Sequence, residues 1–101
     1  MAEINSAKFN SLEEVRTEID RIDRTIVALI GERLQYVKAA ARFKKSEQDV
    51  AAPQRFASML TVRRQWAEEA GLSPDMIEKL YRDMVAHFIA QETEHWRSQQ
   101  G

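Results

Sequence analysis

Apolar residues recur every three or four positions along the first half of the chain. This spacing predicts one long amphipathic helix, because residues three or four apart lie on the same face. Ser11 followed by Glu14 forms a capping-box signature, which places the helix start there. No proline interrupts the pattern up to about Lys45, and the only glycine is Gly31. The apolar positions are Leu12, Val15, Ile19, Ile22, Ile26, Leu29, Val37 and Ala40.

Two shorter helices are predicted to follow. The apolar spacing is lost over residues 46–52, and Pro53 suits the first turn of a second helix. Gly71 stands where a left-handed cap would end that helix, and Ser73 with Pro74 begins a third. No strand pattern or repeat is present, so the predicted fold class is all-α with three helices per chain. The second helix is predicted to carry one set of residues on one side, and the third to have an inward stripe. The first set is Phe56, Met59, Leu60, Arg63 and Trp66, and the stripe is Ile77, Leu80, Tyr81, Met84, Val85, Phe88 and Ile89.

The first predicted helix is too long for the rest of the chain to cover. A run of about 35 residues spans roughly 52 Å, whereas a compact chain of this length has a radius of gyration of about 13 Å. We therefore expect an intertwined homodimer with two-fold symmetry, in which the long helices of both chains share one core. Residues 1–10 are expected to be a flexible N-terminus, and residues 11–101 a single helical domain.

The amino-acid composition excludes several classes of function. Hydrophobic residues make up 44% and charged residues 31%, which fits a globular protein. A net charge of -1 provides no global positive field for nucleic acid. Cysteine is absent, and no apolar run reaches the length of a signal core or a membrane span. We expect a cytoplasmic protein with neither a nucleic-acid nor a membrane partner.

Two cations interrupt the apolar stripe of the first helix. Arg33 and Lys44 are eleven residues apart, three turns of an ideal helix to within about 20°, so both would leave the same face. Unpaired buried charge is costly, so this face needs a water-filled cleft, acidic partners or an anionic ligand. A small organic anion would suit the planar fork of arginine and the point charge of lysine. Spacing alone slightly favours the alternative, in which both side chains snorkel beside Glu32 or Glu47.

Other candidate patterns are weaker. Glu92 and His95 resemble half of a carboxylate-bridged metal motif, but no second Glu-x-x-His occurs, so we expect a surface pair without metal or other cofactor. Trp66 and Trp96 are expected to be packing or interface residues. Glycine-rich phosphate loops and nucleophile–base motifs are absent, so the sequence offers no obvious agent of covalent catalysis.

Longer stretches, covering nearly the whole chain after Ser11, resemble the all-helical chorismate mutase family. They read VRTEIDRIDRTIVALIGERLQYVKAAARFKKSE, APQRFASML, RRQWAEEAGL and IAQETEHW. The opening Arg-x-x-Ile-Asp-x-Ile-Asp is typical of the whole family, whereas YVKAAARFKKSE, APQR and WAEEAGL are more similar to its isochorismate pyruvate lyase branch. Mutases of the family often carry an acidic residue and an arginine early in the second helix. Here Pro53, Gln54 and Arg55 occupy this region without the acid, which also favours the lyase branch.

The resemblance implies a site residue by residue. The family's two carboxylate-binding arginines fall on Arg16 and Arg33, and Lys44 matches the lysine near the ether oxygen of the ligand. Arg16 and Arg33 are roughly 26 Å apart along one helix, so one chain cannot bring both to one small ligand. The family's antiparallel dimer instead places Arg16 of one subunit near Arg33 and Lys44 of the other. The remaining implied contacts are the apolar walls Val37, Met59 and Ile89, a closing loop over residues 45–52, and Arg55.

Glu92 departs from the family pattern. The lyase and many mutases have a glutamine there that donates a hydrogen bond to the ether oxygen, although some mutases have glutamate. An ionised carboxylate cannot donate, so Glu92 must be protonated to replace the glutamine. If Gln91 turns inward instead, Glu92 is merely a surface residue, and the sequence leaves both arrangements open.

The function implied by the resemblance is conversion of isochorismate to salicylate and pyruvate, in salicylate or siderophore biosynthesis. Chorismate mutase activity, which gives prephenate, is expected as a side activity. Lys44, Arg33 and Glu92 would be the catalytic residues. One alternative makes chorismate mutase the main activity, and another is a non-catalytic helical dimerisation or regulatory module.

Overall fold

The computed structural model describes residues 4–46 and 52–100. Within these ranges the chain forms three α-helices and no strand, which confirms the predicted all-α class. The helices are α1, Leu12–Ala41, α2, Pro53–Glu69, and α3, Pro74–Gln100, and a short 3-10 helix at Ser6–Lys8 precedes them. The described residues group into two units, residues 4–36 and residues 37–100. None of the described helices is long and apolar enough to cross a membrane.

Serine caps begin α1 and α3 at the positions that the sequence predicts. The Ser11 hydroxyl accepts a hydrogen bond from the Glu14 N–H at 3.2 Å. The Glu14 carboxylate in turn accepts one from the Asn10 N–H at 2.7 Å, one residue before the usual partner of a capping box. At the start of α3, the Ser73 hydroxyl accepts from the Met76 N–H at 3.2 Å. Each cap satisfies N–H groups that have no partner within the helix.

Gly71 ends α2 as predicted, in a left-handed conformation with φ of 74°. Its N–H donates to the carbonyl of Glu68 at 3.1 Å, and the N–H of Leu72 donates to that of Ala67 at 2.8 Å. These two bonds form a Schellman motif. Pro53 is the first residue of α2, and Ala52 before it is left-handed with φ of 41°, which agrees with the prediction that Ala52 lies outside the helix.

The end of α1 differs from the prediction, because the helix stops at Ala41, about four residues early. The N–H groups of Phe43 and Lys44 each donate to the carbonyl three residues back, at 3.0 Å. Such bonds tighten the chain after the last α-helical turn. Lys44 therefore lies beyond α1, and the prediction that Arg33 and Lys44 share one face of a continuous helix is wrong.

The core of the second unit is built on α2 and α3, which pack against each other. Met59, Leu60 and Ala67 of α2 are buried. Most of the predicted inward stripe of α3 is half-buried, but Leu80 is exposed. Trp66 is 51% exposed, and its ring centroid lies 4.6 Å from the Arg63 guanidinium carbon. The Arg63 guanidinium therefore covers one side of this ring, and the expectation that Trp66 is a packing or interface residue stays a prediction.

An ion-pair network also connects α2 with α3. Arg64 of α2 donates to the carboxylates of Asp75 at 2.9 Å and Glu78 at 3.0 Å. Arg82 donates to the other oxygen of Glu78 at 2.8 Å. The hydrogen bond from Arg82, together with that from Arg64, lowers the pKa of Glu78.

The apolar stripe of α1 is exposed in the single chain. Ile19, Ile22 and Ile26 are 49%, 47% and 48% exposed, and Leu29 is 56% exposed. With 30 residues, the helix extends about 45 Å. A continuous row of large apolar side chains in water is unfavourable, and such rows are typical of surfaces that contact another molecule.

Two glycine substitutions should change stability in opposite directions. Gly71→Ala should lower the free energy of unfolding by about 1 kcal/mol, because a side chain disfavours the left-handed conformation. Gly31 is the matched control, since an added Cβ there meets nothing within 4 Å. Gly31→Ala should raise the free energy of unfolding by about 0.5–1 kcal/mol. Urea denaturation at one protein concentration measures both changes, and a stabilising Gly71→Ala would contradict the assigned cap.

Candidate active site

A buried carboxyl group interacts with a lysine in the unit of residues 37–100. Glu92 on α3 is only 7% exposed, and Lys44, just beyond the end of α1, is half-buried. Burial raises the pKa of Glu92, while the positive charge of Lys44 opposes that rise. Burial has the larger effect, so Glu92 remains protonated to a higher pH than an ordinary glutamate.

The structure turns Glu92 inward and Gln91 outward. Gln91 is exposed, and its amide nitrogen lies 3.5 Å from Nε2 of His87, one turn earlier on the outer side of α3. Of the two alternatives left open by the sequence, the one in which Gln91 faces inward is therefore wrong. Glu92 is the residue that α3 presents to Lys44.

Trp96 makes a contact that sequence reasoning missed. Its indole N–H donates a hydrogen bond to the carbonyl oxygen of Lys44 at 3.2 Å, in a partly buried position. Trp96 lies four residues after Glu92, so both side chains leave the same face of α3. This spacing was the one available signal in the sequence, but nothing local indicated that Lys44 would be the partner.

The residues predicted to form the apolar walls, and Arg55, differ in how deeply they are buried. Met59 is buried, with 4% exposure, whereas Val37 and Ile89 are half-buried. Arg55 is exposed in the first turn of α2. The predicted closing loop falls largely on residues 47–51, which lie outside the described residues.

The two predicted carboxylate-binding arginines lie on α1, in the unit of residues 4–36. Arg16 is exposed and donates to the Glu13 carboxylate at 3.4 Å, while Arg33 is half-buried. Their 17-residue separation corresponds to roughly 26 Å along α1. One α1 helix therefore cannot bring both guanidinium groups to one small ligand. The ion pair of Arg16 is a weak surface pair, which an incoming carboxylate can replace.

A groove of about 590 Å³ runs along α1, and none of the predicted site residues is among those that line it. Its lining comes from successive turns of one helix, so it can contact a ligand on one side only. The lining residues are Thr17, Asp20, Arg21, Arg24, Thr25, Ala28, Leu29 and Glu32.

The Glu92–His95 pattern does not form the predicted surface pair. His95 is exposed and its Nε2 lies 3.1 Å from the amide nitrogen of Gln99, whereas Glu92 is buried. In the part of the chain that the structure describes, no three His, Cys, Asp or Glu side chains are grouped to hold a metal ion.

The sequence of the chain was compared with those of known proteins and protein families. Residues 15–93 match the sequence model described as chorismate mutase type II. The chain belongs to the chorismate mutase type II family. It is 46% identical to isochorismate pyruvate lyase of Pseudomonas aeruginosa over 90 residues, 89% of each chain. T-proteins of Haemophilus influenzae and Enterobacter agglomerans are 35% and 32% identical over 83% and 82% of this chain, which corresponds to 22% of each T-protein.

Membership of the chorismate mutase type II family confirms the resemblance seen in the sequence. The matched region includes Arg16, Arg33, Lys44 and Glu92 and ends three residues before Trp96. Of the two residues in the contact between Trp96 and Lys44, only Trp96 therefore lies outside the family match.

Removing the charge of Lys44 should raise the pKa of Glu92 further, because burial then acts without opposition. NMR titration of the side-chain carboxyl carbons in the Lys44→Ala variant measures this shift. Glu78 is the internal reference, since its pKa is lowered by Arg82 and Arg64, which the substitution leaves in place. If the Glu92 pKa stays the same in the variant, Lys44 does not act on this carboxyl group.

Proposed function

We propose that this protein converts isochorismate to salicylate and pyruvate, with conversion of chorismate to prephenate as a side activity. The observation that carries the proposal is the pair of Lys44 and buried Glu92 in a chain 46% identical to an isochorismate pyruvate lyase. The same similarity supports salicylate formation as the physiological role. A cytoplasmic location remains a prediction of the sequence.

In the proposed reaction, the protein positions the substrate and stabilises charge, and no base is required. A hydrogen moves from the ring carbon that bears the hydroxyl group to the methylene carbon of the enolpyruvyl group, while the ether C–O bond breaks. The ring becomes aromatic as salicylate, and the side chain leaves as pyruvate. Negative charge develops on the ether oxygen as its bond breaks, so donors aimed at that oxygen lower the barrier. Holding the substrate in its compact conformer lowers the barrier further.

Each polar group of the proposed site has one role. Arg16 and Arg33 bind the two carboxylates, for which their planar guanidinium groups are suited. Lys44 places its charge near the ether oxygen. Protonated Glu92 donates a hydrogen bond to the same oxygen, and its burial supports this state. Val37, Met59 and Ile89 form apolar walls, and Arg55 is a further, outer contact.

Chorismate mutase as the main activity is the second candidate. The match to the chorismate mutase type II model favours it, and the same charge pattern can serve both reactions because each breaks an enolpyruvyl ether bond. The two candidates differ in which substrate conformer the pocket selects. Their relative rates on the two substrates decide between them, and no turnover of either substrate would indicate the non-catalytic module.

The purified protein should release salicylate and pyruvate from isochorismate faster than it forms prephenate from chorismate. Its rate on isochorismate should fall as pH rises from about 5 to about 8, because deprotonated Glu92 can no longer donate. Glu92→Gln, which donates at every pH, should remove most of this fall, while Gln91→Glu at the exposed neighbouring position is the matched control. If Glu92→Gln and the unmodified protein share one pH profile, Glu92 is not the titrating group.

We further propose that two chains form a homodimer and complete each site together. The exposed Ile19, Ile22, Ile26 and Leu29 of α1 form a stripe that a second α1 would cover. The separation of Arg16 from Arg33 along α1 supports the same arrangement, since Arg16 then comes from the other chain. A water-exposed pair such as Arg16 with Glu13 costs little to break when the site forms.

Mixing two inactive variants tests this shared site. Arg16→Ala and Lys44→Ala should each lower kcat/KM by about 100-fold or more, and light scattering should show a dimer for both. When they are unfolded and refolded together, about a quarter of the unmodified activity should return, because half of the dimers are mixed and each holds one intact site. Arg33→Ala mixed with Lys44→Ala is the control and should restore no activity, because both residues of one proposed site come from the same chain. Absence of recovery would place Arg16 and Lys44 in the same chain's site.

A further inference from the structure

The backbone of Lys44 is held from both sides. On one side its N–H donates to the carbonyl of Ala41 at the end of α1, at 3.0 Å. On the other side its carbonyl accepts from the indole N–H of Trp96 on α3, at 3.2 Å. The two bonds involve the peptide groups that flank the Lys44 Cα, so together they restrict both backbone dihedral angles of this residue.

The contact with Trp96 joins residues 52 positions apart in the chain. The bond to Ala41 is local and forms with the helix end, but it leaves the direction of the following peptide free. Trp96 supplies the second constraint from a different helix. It lies one turn after Glu92, so the face of α3 that presents the carboxyl group also fixes the backbone of the lysine beside it.

Precise placement matters for a lysine in particular. Its side chain has four rotatable bonds and a point charge, so the position of the ammonium group depends on where the backbone starts. Catalysis by positioned charge is sensitive to small displacements, and a shift of about 1 Å can lower a rate by about 100-fold. A fixed Lys44 backbone therefore has functional value beyond stability.

We propose that Trp96 is a positioning residue for Lys44, whose indole N–H holds the Lys44 carbonyl so that the ammonium group stays beside Glu92. The proposal rests on the proposed function in assigning Lys44 to the ether oxygen of the substrate. Trp96 itself does not touch the substrate, and its effect on the rate passes through Lys44.

Two substitutions separate the hydrogen bond of Trp96 from its packing. Trp96→Phe keeps an aromatic ring and removes the donor. Trp96→His keeps a ring N–H at the corresponding position, because imidazole Nε2 overlays indole Nε1, but removes most of the ring. We expect Trp96→Phe to lower kcat about 10-fold with KM changed less than about 2-fold, and Trp96→His to stay within about 3-fold of the unmodified kcat. Trp66→Phe, at the exposed tryptophan of α2, is the control and should leave kcat unchanged.

The reverse order, with Trp96→His worse than Trp96→Phe, would assign Trp96 to packing and overturn the proposal. A double-mutant cycle adds a second criterion: in the Lys44→Ala background, Trp96→Phe should change kcat by less than about 2-fold. An equal loss in both backgrounds would show that Trp96 acts independently of Lys44.

A readout without substrate separates this proposal from the proposed function. If the unmodified protein turns over neither substrate, the proposed function fails, and the position of Lys44 is then read from the Glu92 pKa by NMR. Trp96→Phe should raise that pKa towards its value in Lys44→Ala, whereas Trp66→Phe should not. Hydrogen exchange in the unmodified protein needs no variant, and the indole proton of Trp96 should exchange more slowly than that of Trp66. An unshifted Glu92 pKa, or equal exchange of the two indoles, would overturn the positioning role.

Discussion

Burial of the Glu92 carboxyl group beside Lys44 is the interaction on which the candidate site depends. Burial removes water from the carboxylate and favours its protonated form, whereas the lysine favours the charged form. The outcome is decided by how completely the surroundings exclude water. The buried Met59, Leu60 and Ala67 belong to the same unit, so the packing of this unit sets the chemistry that Glu92 can perform.

Several modest interactions hold α2 and α3 in place for this purpose. The Schellman motif at Gly71 fixes the turn between them, and Arg64 connects α2 with Asp75 and Glu78 of α3. Ion pairs that stay partly in contact with water add little stability individually. Together with the turn, however, they define how the two helices are aligned, and this alignment determines which side chains of α3 face inward.

The proposed chemistry divides between two kinds of group. In the proposed site, carboxylate binding is assigned to the permanently charged guanidinium groups of Arg16 and Arg33. The breaking ether bond requires a positive charge and a donor, and the proposal assigns these roles to Lys44 and protonated Glu92. A reaction that needs no base can be served by such fixed charges alone, because preorganised electrostatics stabilise the transition state without a proton leaving the substrate. The exposed apolar stripe of α1 supports the proposal that a second chain contributes residues to the site.

The sequence by itself determined the helices and most of the candidate residues. Helix starts and the end of α2 could be predicted from local chemistry, because the residues that set them act only on their neighbours. These residues are Ser11, Pro53, Gly71 and Ser73. The end of α1, the inward turn of Glu92 and the bond from Trp96 to Lys44 could not be predicted in this way. Adjacent residues such as Gln91 and Glu92 have similar local preferences, and only packing against other parts of the chain selects which one is buried. Likewise, a tryptophan gives no sign of a partner 52 residues away, since that contact exists only once α3 and the end of α1 have come together.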